Sequence, residues 1–150
     1  MHILGFGSQQ DEDHIKKLIE ETNKNQRECK VIFEGKKDGK EFTSFIQKCD
    51  IGLATQNPDG VYNLTSFPSK VLMYLANGLK VISTDIDVLR TSKVCNMVNF
   101  VKEANPKSVA DAILRVSRTK KNDLNEILKK VEIEFLEQMI KVIEEVYESE

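Results

Sequence analysis

The sequence predicts an α/β fold built on a parallel β-sheet with helices on both faces. Short apolar segments alternate with longer segments of helical periodicity, and the first half of the chain reads β-α-β-α-β-α. Several of the short segments are apolar throughout, which is typical of strands that are buried on both sides. Each is followed by a helix or a long connection, as parallel pairing requires. We therefore expect one Rossmann-like sheet of about five strands with right-handed crossovers.

The strand predictions rest on the short apolar runs, at residues 2–6, 30–34, 50–54, 80–83 and 97–102. The helix predictions rest on apolar spacing of three and four residues, at residues 11–24, 39–49, 67–77, 86–92 and 106–118. Ligands of open parallel sheets bind beyond the carboxyl ends of the strands. The loops at those ends are therefore the candidate sites.

The C-terminal segment 120–150 is strongly charged and has a different pattern. Apolar residues recur in it at helical spacing, at Leu124, Ile127, Leu128, Val131, Phe135, Met139, Val142 and Val146. This pattern predicts one or two amphipathic helices. We expect a sheet domain over residues 1–118 and a helical extension over residues 119–150 that packs on the same domain. The alternative is a surface for another domain or for a second copy of the chain.

Composition argues against several classes of function. Apolar residues make up 40% and charged residues 31% of the chain, as in ordinary globular domains, so one core is expected. The net charge of −2 provides no basic field for nucleic acid or an anionic membrane, so any phosphate must be captured locally. The three cysteines lack CxxC spacing, which argues against a disulfide framework and a zinc site. With no signal peptide or spanning helix evident, we expect a reducing cytoplasmic location and leave peripheral membrane contact open.

The helix predicted at residues 67–77 has marked ends and an unusual first turn. Ser66 can cap it, Pro68 suits its first turn, and Gly78 can end it in the left-handed conformation. The first turn lacks an acidic residue and carries Lys70 instead. Backbone N–H groups, the hydroxyls of Ser66 and Ser69, and the Lys70 ammonium could together hold a diphosphate. The alternative is that Ser66 only caps and Lys70 is solvated.

Two glycine-containing loops are further candidates. In the first, Gly5-Phe6-Gly7-Ser8, residues without Cβ would let a ligand approach the backbone, or Ser8 simply caps the next helix. It lacks the third glycine of a dinucleotide fingerprint. In the second, residues 34–39 combine two glycines with two lysines that could face a base or a phosphate. A solvated turn is the commoner explanation for such a cluster.

Other polar residues give weaker predictions. The long segment 55–65 precedes the candidate phosphate helix and has the character of a substrate-facing loop. Asp85 and Asp87 follow a strand, and capping the next helix is the expected role. His2 and His14 have no cysteine partners or spaced acids in the sequence, so no metal site or catalytic triad is expected.

The segment that begins with Phe67-Pro68-Ser69-Lys70 and continues to residue 84 resembles the donor-site signature of retaining family 4 glycosyltransferases. That signature reads Phe-Pro-x-Lys-x-x-Glu, then Tyr or Met-x-Ala-x-Gly-x-Pro-Val-Ile. The chain supplies the second part with Tyr74, Ala76, Gly78, Val81 and Ile82. Other landmarks occur in matching order at residues 3–7, 31–35, 49–53 and 105–113, so the resemblance covers roughly residues 2–118.

The resemblance implies the C-terminal half of a GT-B fold that binds a UDP- or GDP-sugar as substrate and holds no tightly bound cofactor or metal. The implied diphosphate site is Ser66, Phe67, Pro68, Ser69 and Lys70. The implied sugar and phosphate loop is Gly5, Phe6, Gly7 and Thr65. The implied nucleoside site is Gly35, Lys36, Lys37, Asp38 and Met73. No catalytic residue is assigned.

Two departures from the family matter. The family commonly has two glutamates eight positions apart, the first addressing the sugar and the second the ribose. Here Thr65 and Met73 stand at those places. A methionine cannot accept ribose hydrogen bonds as a carboxylate does. A neighbouring residue holds the ribose, or the donor binds differently, or affinity is low.

The resemblance also implies a missing partner. A GT-B enzyme of polysaccharide biosynthesis needs an N-terminal domain that binds a glycan or lipid-linked acceptor, so we expect the isolated chain to bind a donor without transferring a hexosyl group. One alternative is a GT-B nucleotide-sugar epimerase, although the acidic and histidine cluster that elimination chemistry needs is absent from this sequence. Another is a non-catalytic module that forms a homodimer through the C-terminal helices.

Overall fold

The computed structural model describes residues 1–25, 29–64, 66–101 and 103–119, and, within the C-terminal segment, residues 129, 132, 133, 135–137, 139–141, 143 and 144. The chain divides into two compact units, residues 1–45 and 46–150. Strands and helices alternate in both, and every strand pair is parallel. The predicted α/β class is therefore confirmed, in a form compatible with a Rossmann-like fold.

The first unit contains a two-stranded sheet. Its elements are β1 (His2–Leu4), α1 (Gln9–Lys24), β2 (Ile32–Gly35) and all but the last residue of α2 (Gly39–Ile46). His2 lies opposite Ile32, and the register shifts between Ile3 and Leu4. Among residues 1–25 and 29–45 none is fully buried. The closed hydrophobic core of the described chain accordingly lies in the second unit.

The second unit contains a three-stranded sheet in the order β3-β4-β5. Its strands are β3 (Ile51–Ala54), β4 (Lys80–Thr84) and β5 (Val98–Val101), and its helices are α3 (Ser69–Ala76), α4 (Asp87–Arg90) and α5 (Pro106–Ser117). Short 3-10 helices occupy Val61–Leu64 and Cys95–Met97. The parallel ladders place Ile51 opposite Lys80 and Val81 opposite Val98. The carboxyl ends of all three strands therefore meet at one edge.

Both faces of this sheet are covered by helices. Val81 and Ile82, consecutive in β4, are each fully buried and point to opposite faces. Val81 belongs to a cluster that includes residues of α3 and α4, whereas Ile82 packs with Ala112 and Val116 of α5. This two-sided burial is predicted by the apolar run at residues 80–83.

The strands form two sheets, and the single five-stranded sheet expected from the sequence is not what the described chain shows. β1 and β2 pair with each other, while β3, β4 and β5 form their own ladder. The β1–β2 pairing covers three residues of β1 and is irregular at its end. The apolar pattern of each strand is the same in either arrangement, so sequence periodicity cannot distinguish them.

Several helix and strand boundaries differ from the predictions. α1 begins at Gln9, two residues early, because Ser8 forms a capping box with Asp11. α3 begins at Ser69 and not at residue 67. β5 begins at Val98 because the preceding residues form a 3-10 turn. Lys102, the predicted end of β5, lies outside the described residues.

Only part of the C-terminal segment can be compared with its prediction. Of the predicted apolar stripe, Phe135 and Met139 are described, and both are about half exposed. The other positions of the stripe lie outside the described residues, so packing of this extension on the domain stays a prediction. Among the described residues, no helix combines the length and apolar character needed to cross a membrane.

Candidate functional site

A cavity of about 390 Å³ opens in the second unit, where the carboxyl end of β3 meets the start of α3. It is lined by Leu53, Ala54, Thr55, Gln56, Ser66, Phe67, Pro68, Ser69 and Lys70. All five residues predicted for a diphosphate therefore line one cavity. Its position, beyond the carboxyl end of a parallel strand, is where open α/β sheets bind ligands.

The first turn of α3 supplies positive polarity to this cavity. Pro68 occupies the N-cap position without a side-chain cap, and no acidic residue lies in the first turn. Among the described residues, the amides of Ser69 and Lys70 donate to no acceptor, and the Lys70 ammonium pairs with no carboxylate. Unpaired N–H groups at a helix start carry the positive end of the helix dipole, and the ammonium adds to it.

The predicted cap at Ser66 is wrong. Ser66 lies outside the helix, and both its amide and its hydroxyl donate to the carbonyl of Tyr62, at 3.0 and 2.8 Å. The physical reason is Pro68, which disfavours the helical conformation at the residue before it, so Phe67 cannot begin the helix. Ser66 still lines the cavity, and its hydroxyl oxygen can accept a hydrogen bond.

The opposite end of α3 agrees with the sequence prediction. Gly78 has a φ of 77°, in the left-handed region, and its amide donates to the carbonyl of Leu75 at 2.9 Å. Met73, expected near a nucleoside, is half-buried on this helix. Its carbonyl accepts from the side chain of Asn77 at 2.9 Å, within the C-terminal turn. Thr65, predicted near the sugar, lies outside the described residues.

The start of α1, in the first unit, is already occupied by an anion. The Asp11 carboxylate accepts from the amide and the hydroxyl of Ser8, at 3.2 and 2.7 Å, and the Asp11 amide donates back to that hydroxyl. The hydrogen bonds from Ser8 hold the pKa of Asp11 below its usual range. The alternative interpretation of Ser8 as a helix cap is therefore confirmed. Gly7 lies close to Asp11, since a Cβ on it would be 3.2 Å from the Asp11 Cβ.

The remaining loop residues of the first unit contact one another. The Gly5 amide donates to the carbonyl of Gly35 at 3.1 Å, and Gly35 has a φ of 67°. Phe6 is exposed, and the Lys36 ammonium lies 5.4 Å from its ring centroid. Lys36 also pairs with Asp38 at 2.9 Å. These contacts join the two predicted loops, and they also occupy Lys36.

Lys37 is held by acidic neighbours. Its ammonium lies 2.9 Å from Glu41 and 3.7 Å from Glu34, and its side chain is only 15% exposed. The hydrogen bond to Glu41 raises the pKa of Lys37. A nucleoside role for Lys37 would require breaking those pairs, just as a role for Lys36 or Asp38 would require breaking the pair between them.

The structure adds a partner for one charged residue, His2, and shows that the capping role predicted for another, Asp85, is wrong. His2 has an acidic partner, because its Nδ1 lies 2.8 Å from Glu34. Parallel pairing of β1 and β2 brings the two together across 32 positions of sequence. Asp85 does not cap α4, whose N-cap is Ile86. It instead accepts two hydrogen bonds of 2.6 Å from Arg90, which lower the pKa of Asp85.

Sequence reasoning missed two polar residues at the cavity edge. Gln56 lines the cavity, and its carbonyl accepts from the Thr84 hydroxyl at 2.8 Å. Thr84 is 1% exposed and ends β4. The available signal was the Ser83-Thr84 pair at the end of a strand that is otherwise apolar after Lys80. Buried hydroxyls need hydrogen-bond partners, so a Ser-Thr pair at a strand end indicates polar groups nearby.

A second, more open cavity of about 600 Å³ lies at the start of α5. There the Asn105 side chain accepts from the Ser108 amide at 2.8 Å and donates to Glu103 at 2.6 Å. This helix start is capped and has the acids Glu103 and Asp111 in the cavity lining. It is therefore less suited to an anion than the start of α3. Within the described residues, no three His, Cys, Asp or Glu side chains cluster as potential metal ligands.

Comparisons with protein-family models, with curated proteins and with solved structures found no match to this chain. The functional assignment therefore depends on the geometry of the site and on the resemblance of its residues.

Proposed function

We propose that this chain is the donor-binding domain of a retaining GT-B glycosyltransferase, and that the cavity at the start of α3 receives the diphosphate of a UDP- or GDP-sugar. The observation that carries the proposal is this cavity with its uncapped helix start. The amides of Ser69 and Lys70 lack protein acceptors among the described residues, and Lys70 adds a cation. Anions bind at such helix starts through backbone N–H groups and the dipole.

The chemistry of the proposed transfer is electrostatic. As the bond from the sugar to the diphosphate opens, negative charge grows on the leaving phosphate oxygens. Preorganised N–H groups and an ammonium group stabilise that charge more than the charge of the intact donor, which lowers the barrier. The Ser66 hydroxyl, which donates to the Tyr62 carbonyl, can accept a hydrogen bond at the same cavity. In this proposal an N-terminal domain outside this chain binds a glycan or lipid-linked acceptor and completes the site for hexosyl transfer.

Titration calorimetry with two lysine variants tests the proposal. Lys70→Ala should weaken binding of UDP or GDP by about tenfold, the size of one charge-assisted hydrogen bond, with a much smaller effect on uridine or guanosine. Lys107→Ala is the matched control, because Lys107 lies in the first turn of α5 at the other cavity. Equal losses for diphosphate and nucleoside, or equal losses in both variants, would contradict the assignment.

A second candidate, a dimerising module, is favoured by exposed side chains in the C-terminal segment. Ile133, Leu136, Ile140 and Ile143 are each at least half exposed, and their spacing of three and four residues places them on one helical face. Lys129 lies before this stretch and Glu144 after it, so an antiparallel second copy would bring opposite charges together. Sedimentation velocity of the wild type and Ile140→Glu tests this candidate: a dimer that the variant converts to monomer would support it, and a wild-type monomer would exclude it.

A further inference from the structure

The loop after β3 contains a network of two carboxamide side chains. The Nδ2 group of Asn63 donates to the carbonyls of Asn57 and Pro58, both at 2.8 Å, and its Oδ1 accepts from Nε2 of Gln56 at 2.5 Å. The Asn63 amide thus uses both of its N–H groups and its oxygen within one loop. These three bonds orient Asn63 so that its Oδ1 faces Gln56, and Gln56 therefore turns its Nε2 towards Asn63.

Gln56 is held from a second side as well. The backbone carbonyl of Gln56 accepts from the buried Thr84 hydroxyl at 2.8 Å, which ties the loop to the end of β4. Gln56 lines the same cavity as Ser66 and Lys70. Beyond its bond to Asn63, the Gln56 side chain has no partner among the described residues. One carbonyl oxygen and one N–H group of this carboxamide therefore have no protein partner among the described residues.

A ligand group that offers both a donor and an acceptor would complement that carboxamide. A diphosphate oxygen only accepts, and the amides of α3 and Lys70 already serve it in the proposed function. A sugar hydroxyl both donates and accepts. We infer that Gln56 is a specificity-determining residue that hydrogen-bonds hydroxyl groups of the donor's sugar, and that Asn63 is the positioning residue that orients it. This inference rests on the proposed function.

The test compares nucleoside diphosphates with their hexose derivatives by titration calorimetry of the full chain. UDP, UDP-glucose, GDP and GDP-mannose are the probes. The wild type should bind at least one hexose derivative more tightly than the matching diphosphate. Gln56→Met keeps the length of the side chain and removes its amide. It should abolish the tighter binding of the hexose derivative, a difference in affinity of about tenfold, while the affinity for the diphosphate stays within about twofold of wild type. Asn63→Asp, which cannot donate to the two carbonyls, should have the same effect.

The control variant is Asn57→Ala. It removes a side chain on the same loop that accepts from the Asp59 amide at 3.1 Å and does not line the cavity. It should keep the hexose gain, which a general distortion of the loop would remove. If Asn63→Asp fails to fold, as judged by circular dichroism, Gln56→Met carries the test, because its backbone bond to Thr84 is retained.

The outcomes separate the two proposals. If the wild type binds neither diphosphate, the proposed function fails and this inference fails with it. If diphosphates bind, two results overturn the inference alone. One is a wild type that binds no hexose derivative more tightly than the matching diphosphate. The other is that Gln56→Met and Asn63→Asp keep that difference in affinity. An equal loss for diphosphate and hexose derivative also overturns it, because that pattern places Gln56 against ribose or phosphate.

Discussion

The ring of Tyr74 lies directly over Gly52. A Cβ added to Gly52 would be 2.4 Å from Cγ and Cδ2 of that ring. Gly52 is buried in β3 and Tyr74 is on α3, so the contact sets how closely the helix approaches the strand. Burial also raises the pKa of the Tyr74 hydroxyl. β3 and α3 each contribute residues to the lining of the candidate cavity, so this contact holds together two of the elements that surround it.

Gly52→Ala should destabilise the protein. The added methyl group overpacks the β3–α3 contact, and the free energy of unfolding should fall by about 1–3 kcal/mol, measured by urea denaturation. Gly5→Ala is the control, since a Cβ there meets no atom within 4 Å. In the double variant with Tyr74→Leu, the cost of Gly52→Ala should be smaller. Strictly additive losses would show that the ring is not what the methyl group meets.

Gly78→Ala should also destabilise the protein, for a conformational reason. Gly78 has a φ of 77°, which costs an L-residue about 1–2 kcal/mol. Gly78→Asn should cost less, because asparagine tolerates the left-handed region. Urea denaturation of both variants measures the difference. A loss for asparagine as large as for alanine would argue that something other than φ determines the effect.

The pair Asp85–Arg90 should make stability depend on pH at the acidic end. The hydrogen bonds from Arg90 lower the folded-state pKa of Asp85. The pair therefore stabilises the protein above the unfolded-state pKa of an aspartate, and this contribution is lost as pH falls through the lowered folded-state value. In an NMR titration, Asp85 should titrate below an ordinary aspartate in the wild type and return towards the ordinary value in Arg90→Gln. An unchanged titration in that variant would refute the assignment.

Thr84→Val tests the anchor of the cavity loop. Valine keeps the shape of threonine and leaves the carbonyl of Gln56 without its donor, so unfolding free energy should fall by about 1–2 kcal/mol. Thr91→Val is the matched control, because its hydroxyl donates to the Asp87 carbonyl at 3.0 Å on an exposed turn. Thr91→Val should change the free energy of unfolding by no more than about 0.5 kcal/mol. Similar losses in both variants would show that burial of the Thr84 bond adds nothing.

Local sequence features predicted much of the second unit. The run of consecutive apolar residues in the fourth strand predicted a strand that is buried on both faces, and β4 is buried in that way. Gly78 ends α3 as predicted, because only glycine and few other residues tolerate its conformation. The absence of an acid in the first turn of α3 is likewise a property of sequence. The misplaced cap at Ser66 was a local error, since Pro68 already restricts the residue before it.

The sequence by itself determined which segments are strands and helices, where α3 ends, and that a cation and no acid lies at its start. Only the tertiary structure decided that the strands form two sheets, that His2 meets Glu34 and that Thr84 bonds to Gln56 across 28 positions. Periodicity and capping act over a few residues and are encoded there. Strand pairing is set by contacts between distant segments whose apolar patterns are interchangeable, so it becomes specific only when the chain is packed.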